Sequence, residues 1–361
     1  MKKIAIAVLG AVLAVTGCSK KNAADAKITK ENLKVGFVYI GSIHDEGYTT
    51  AQDQGRLALE EQGIKTMYVE NVPENADCEK VIRDLIDQGC NVIYTTSFGF
   101  MDWTIKVAKD FPNVKFGHCS GYKRAENVST YFGKMYEARY LAGIAAGLKT
   151  KTNKIGYVAA FPIPECIRGI NGFARGVQSV NPDATIEVVW TNTWYDPTVE
   201  KQAALEVLNK GCDVIEQHQD TTAPQIAAQE KGAFCLGYNV PTPNAAPKAY
   251  LTAPIFHWAT FITDDVNTIL NGTWQSRAYW EGLSSGMVDL APLSDLCAEG
   301  TQEKIDAART AIENGSLKIF EGPIFDQTGA EKVPAGTVMS DNDVWNMSWF
   351  VKGVNGVIPQ N

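Results

Sequence analysis

Two periodicities alternate along this chain. Short β-branched runs, such as KVGFVYIG (34–41) and KIGYVAAF (154–161), have the composition of strands. Between such runs the apolar residues adopt helical spacing. Val81, Ile82, Leu85 and Ile86 fall at i, i+1, i+4 and i+5, and Ala203, Ala204, Val207 and Leu208 repeat that stripe. Each stripe predicts a helix lying on a sheet and ended by a glycine, Gly89 or Gly211, ahead of the next strand.

The same grammar occurs twice in one register. Lys34-Val35-Gly36 returns as Lys154-Ile155-Gly156, and Gly89-Cys90-Asn91-Val92-Ile93 returns as Gly211-Cys212-Asp213-Val214-Ile215. The segment around His118 answers in the same way to the one around Tyr238. Strands alternating with helices give parallel sheets with right-handed crossovers. The chain therefore reads as α/β, with two similar doubly wound lobes of roughly 100–120 residues each. From about Leu251 it must return across the lobe boundary through TAPIFHW, a helix through Asp264 to Leu270, and YWEGLSS. The closing VWNMSWFVKGV is too aromatic for a loose tail and is expected to pack on the second lobe.

A length of 361 residues agrees with two lobes, and 45% hydrophobic with 20% charged residues excludes a disordered, collagen-like or polytopic membrane chain. The net charge of −8 gives no basic face for nucleic acid. At the N-terminus, Lys2 and Lys3 precede the short apolar run IAIAVLGAVLAV, the plan of a secretory signal over 1–17. Val15-Thr16-Gly17-Cys18 resembles a bacterial lipobox, which would make Cys18 a lipidated first residue and 18–32 a polar tether to the membrane. An ordinary cleavage site or a buried apolar helix are the alternatives. Seven of the eight cysteines remain beyond Cys18, with no CxxC, so free buried thiols are expected, with one or two disulfides as the alternative.

In open parallel sheets ligands bind beyond the carboxyl ends of the strands. The loops expected there carry Asp45 and Tyr48; Phe98, Phe100, Asp102 and Trp103; and His118 to Tyr122 in the first lobe. The second lobe offers FPIPECIR (161–168), Trp194, Asp220 and the GYN triplet ending at Asn239. Large rings beside isolated carboxylates and amides suit a flat heteroaromatic ligand, whose faces the rings cover and whose edge the polar groups read. Local roles compete: Asp102, Asp196 and Asp220 each precede residues that a helix cap would need. His44, Asp45, His218 and Asp220 could be metal ligands, but no HxxxH or HExxH accompanies them, and no metal or cofactor is assigned. GxSxG, P-loop and GxGxxG signatures are absent, and Ser120-Gly121 beside His118 lacks a third orienting group, so an enzyme is not expected.

At these residues the sequence resembles the basic membrane protein (BMP) family of lipoproteins, purine-nucleoside receptors that feed ABC importers. The resemblance covers nearly the whole mature chain. Its most specific stretches are YEARYLAGIAAGLKTKTNKIGYV (136–158), GFARGVQSVNPDA (172–184), VWTNTWYDP (189–197) and WEGLSSGMVDLAP (280–292). It implies a type I periplasmic-binding-protein fold, two lobes joined by three hinge crossings. Lobe 1 would take 33–133 plus about 254–275, and lobe 2 would take 134–253 plus about 276–361. Implied partners are a small purine ligand, permease and ATPase subunits and, through the anchor, the extracytoplasmic face of the cell membrane, the protein itself being a monomer. Family members carry an Asp, a stacking Phe and an Asn in the first loop, where this chain has Asp45, Tyr48 and Thr49. An Asp and a Lys suited to ribose hydroxyls are replaced by Asn239 and Phe256, with Trp258 nearby. That loss favours a bare base such as adenine over a nucleoside. A sugar, flavin or thiamine-like ligand, or a sensory lipoprotein without transport, are the competing readings.

Overall fold

The computed structural model describes residues 27–359; the expected signal segment and the lipidation site Cys18 lie outside the described residues. The chain opens with β1 (Lys34–Val38), α1 (Tyr48–Glu61), β2 (Lys65–Val69), α2 (Ala76–Asp87), β3 (Val92–Thr95), α3 (Met101–Asp110), β4 (Lys115–Cys119) and β5 (Val128–Gly133). It continues with α4 (Met135–Lys149), β6 (Lys154–Ala159), α5 (Pro164–Val180), β7 (Thr185–Trp190), α6 (Pro197–Asn209), β8 (Val214–His218), α7 (Ala223–Glu230) and β9 (Phe234–Cys235). The return comprises β10 (Pro254–Phe256), α8 (Trp258–Leu270), β11 (Ala278–Glu281) and β12 (Val288–Leu290). Last come α9 (Thr301–Glu313), β13 (Ile324–Phe325), β14 (Glu331–Val333), α10 (Asp341–Trp345) and β15 (Val354–Asn355).

These strands build two parallel sheets, ordered β11-β5-β4-β3-β1-β2 and β15-β7-β6-β8-β9. The duplication seen in the sequence is a duplication of topology. β1 sits between β2 and β3 just as β6 sits between β7 and β8. The repeated glycine in each central strand has a packing reason. A Cβ on Gly36 would lie 2.8 Å from Ile93 Cδ1, and one on Gly156 would lie 2.5 Å from Val207 Cγ2, so both positions stay small beneath their neighbours. The predicted stripes face inward: Ile82 and Leu85 of α2, and Ala203, Ala204 and Val207 of α6, are buried.

The chain crosses between the sheets after β5, between β9 and α8, and after β11, and the short antiparallel ladder of β10 with β12 lies on the last two crossings. The lobe boundary near 275 needs correction. β11 at 278–281 pairs with Thr130–Gly133 as the edge strand of the first sheet, because the β5 edge would otherwise leave its backbone groups unpaired. The aromatic end segment packs on the second lobe, with Met347, Phe350 and Val351 buried. Asn171 of α5 fastens it: its Nδ2 donates to the Trp349 carbonyl at 2.7 Å, and its Oδ1 accepts from Val351 N–H at 2.9 Å. The seven described cysteines are all free thiols, and six are buried, so the disulfide alternative is not realised among them.

Candidate functional site

Loops at the carboxyl ends of both sheets converge on one closed cavity. The first lobe contributes Ile40 after β1, Tyr48 at the start of α1, Ser97 and Phe98 after β3, and Ser120 after β4. The second contributes Glu165 in the first turn of α5, Trp194 after β7, His218 closing β8, then Asp220 and Tyr238. About 380 Å³ of it is unfilled by protein atoms. The lobes are shut on each other, since a Cβ on Gly47 of the first would collide with the Asp220 carbonyl of the second. Glycine is what permits that approach.

The walls are largely aromatic. Trp194 lies 5.0 Å from Phe161 and 6.2 Å from His218, and the His218 ring lies 4.8 Å from Tyr238. The series continues through Phe256 to Trp258, which stack at 4.2 Å, and ends edge-on against Tyr48 at 5.8 Å. Rings thus run unbroken from one lobe to the other. Tyr48 is held in place by donating to the Thr96 carbonyl and by accepting from Gln52 Nε2 at 3.1 Å.

Of the expected residues, Tyr48, Phe98, Trp194 and Asp220 line the cavity. Asp45 does not, because its carboxylate caps α1. It accepts from the backbone N–H groups of Gly47, Thr49 and Thr50 and from the Thr50 hydroxyl, at 2.8–2.9 Å. Asp102 also stands away, exposed and paired with Lys123 at 2.5 Å. Trp103 packs on the helix side of the first sheet with Lys106 over its ring. Asn239 and Trp258 form a layer behind the wall: Asn239 donates to Asp220 at 3.1 Å, and Trp258 backs Tyr48. Of the three rival caps, only Asp196 acts as one, on α6.

Glu165 and Tyr238, carried by the expected loops but not chosen from them, enter the wall, and so does His218, weighed only as a metal ligand. Pro164 in the first turn of α5 was the available signal, because it marks a helix start on a loop of the ligand side. No group of three metal-ligating side chains occurs among the described residues. Burial lowers His218 to about 4, aided by the nearby Arg139, so its ring is neutral at physiological pH. Burial holds Asp220 well above the usual carboxylate range, and the charges of Asp45 and Glu200 push the same way. Among the described residues no lysine or arginine lines the cavity, which makes it inhospitable to anions.

The Asp220 proton has a measurable consequence. At low pH the carboxyl is protonated in both folded and unfolded chains and costs nothing. As pH rises the unfolded aspartate ionises while the folded one keeps its proton, so stability falls until the raised folded value is passed. Asp220→Asn, which has no proton to retain, is expected to gain stability relative to the parent progressively from about pH 4 upward. Denaturant titrations at several pH values check this; a constant difference across pH would refute it.

The profile described as ABC transporter substrate-binding protein PnrA-like matches residues 32–320. The chain belongs to this family. Members are non-enzymatic substrate-binding proteins of ABC transporters, which implies a small-molecule ligand, permease and ATPase partners and an extracytoplasmic place of work. A purine-binding protein of Brucella abortus is 40% identical over 92% of this chain and 95% of its own length. An ABC transporter protein of Haloferax volcanii, provisionally described as glucose-binding, is 38% identical over 91% and 82% respectively. A solute-binding protein from Aeropyrum pernix superposes with a TM-score of 0.71 at 18% identity, over 87% of this chain and 95% of that one, and shows the shared fold. Among the described residues no helix is long and apolar enough to cross a membrane.

Proposed function

We propose that this family member captures a purine base, adenine in preference to a nucleoside, in the interlobe cavity and delivers it to its permease while anchored to the membrane through lipidated Cys18. The observation that carries the reading is the pairing of Tyr48 on one lobe with Trp194 on the other, across a cavity with no lysine or arginine in its wall among the described residues. Such walls cover the faces of a neutral planar ring. Closure is driven only by contacts that need both lobes, which a flat ligand between two rings supplies.

Size favours the base, since the restricted free volume suits a single ring system. Asn239 and Phe256, standing where the family resemblance places an Asp and a Lys suited to ribose hydroxyls, point the same way. Purine binding by the Brucella relative supports the same choice. The glucose description of the Haloferax relative makes a sugar the ligand to test against it.

Mass spectrometry of whatever co-purifies, followed by calorimetry with adenine, hypoxanthine, guanine, adenosine and glucose, tests the reading. Adenine is expected to bind at least about tenfold more tightly than adenosine, because burying unmatched hydroxyls costs more than about 1.4 kcal/mol. Tight adenosine binding with weak adenine binding would overturn the preference for a base, and glucose alone binding would overturn the purine reading.

A further inference from the structure

We propose that Glu165 is the specificity-determining residue of the site, selecting a ligand edge that presents an N–H donor, an exocyclic amine above all. The proposal rests on the purine reading above and goes further, since it says which purines the cavity prefers and why. Glu165 stands in the first turn of α5, a helix without a side-chain cap, where the dipole favours a negative charge. Its side chain is only 15% exposed and lines the cavity.

What separates Glu165 from the acids around it is that, among the described residues, no donor stands closer to its oxygens than the 3.5 Å of His218 Nε2. Asp45 is consumed by four donors, and Glu200 accepts from the Thr221 hydroxyl and from Asp196 N–H. Asp220 accepts from Asn239. His218 Nε2 lies 3.5 Å from Glu165 Oε1, at the limit of a hydrogen bond, and burial keeps that ring neutral. An acceptor that loses its water when a ligand fills the cavity is costly unless it is matched, and a ligand N–H relieves that cost.

A carboxylate accepts and cannot donate. An amino group meets it favourably, whereas an oxo group sets lone pairs against lone pairs. Facing the 6-position, the carboxylate meets an amine in adenine and an oxo group in hypoxanthine, which gains an N1–H where adenine has a lone pair. A glutamine in place of Glu165 offers both a carbonyl and an amide, so it tolerates either ligand.

Calorimetry of the full-length protein with adenine and hypoxanthine, before and after Glu165→Gln, is the test. The parent is expected to prefer adenine, and the ratio of the two affinities is expected to fall at least about tenfold in the variant, as hydrogen-bond selectivity allows. A second measurement needs no variant: N6,N6-dimethyladenine, which lacks the exocyclic N–H but keeps the ring N–H, is expected to bind the parent at least about tenfold more weakly than adenine. An unchanged ratio in Glu165→Gln, or equal affinity for the dimethyl compound, would overturn the role of Glu165 while leaving purine binding intact. Failure of the parent to bind any purine would overturn both readings.

Discussion

Trp194→Ala is expected to weaken purine binding by about 1.5–4 kcal/mol, roughly 10- to 1,000-fold in Kd, and Tyr48→Ala by a similar amount. The two rings stand on opposite lobes of the closed cavity. Each truncation therefore removes stacking area and weakens the bridge by which a ligand holds the lobes together. Trp194 is in contact with Phe161 and His218, so its loss also loosens the second wall. Tyr48→Phe separates ring from hydroxyl. It keeps the stacking face but abandons the bond to the Thr96 carbonyl, and is expected to retain most of the affinity. Calorimetry on the variants, with melting curves to establish folding, reads the effect. Unchanged affinity in both alanine variants would remove these rings from the site.

Arg139→Met is expected to destabilise the protein by about 3–5 kcal/mol, the usual penalty for leaving one member of a buried ion pair alone. Arg139 and Glu216 are both fully buried and in direct contact, and Arg139 also donates to the Gln217 carbonyl at 3.1 Å. The guanidinium lies 4.1 Å from the centre of the Tyr238 ring, so the pair supports the cavity wall from behind. Burial pushes the Glu216 carboxyl up while Arg139 pulls it down. Without Arg139 the carboxyl is raised further and takes up a proton on folding. The variant's stability is then retained at acidic pH and lost as pH rises through that folded value. Replacing both partners, as Arg139→Met with Glu216→Leu, is expected to restore most of the loss, because no buried charge remains. Denaturant unfolding of the three variants across pH decides it: a double variant no better than Arg139→Met would show that the pair matters through shape alone.

Much of the architecture was legible because it was written twice. The strands at 34 and 154, and the glycine-to-strand steps at Gly89 and Gly211, share a local pattern that each half needs in order to bury a helix on a sheet. The site was legible in part. Tyr48, Phe98, Trp194 and Asp220 follow strands and reach the cavity. Asp102 and Trp103 also follow a strand, but α3 carries them outward, one to Lys123 and one to the helix layer. Asn239 and Trp258 came within one layer of the cavity and support residues that line it.

The sequence by itself determined the element types, the duplicated α/β plan and the ends of the sheets where a ligand would sit, since periodicity and helix stops depend on neighbours a few residues apart. Only the tertiary structure decided which polar groups remained free. Asp45 and Asp220 look alike on paper, yet backbone donors a few residues on exhaust the first, and the opposite lobe closes over the second. Glu165 stood out only once Asp45, Glu200 and Asp220 had found their donors, because hydrogen-bond satisfaction is settled by what folding brings within about 3 Å.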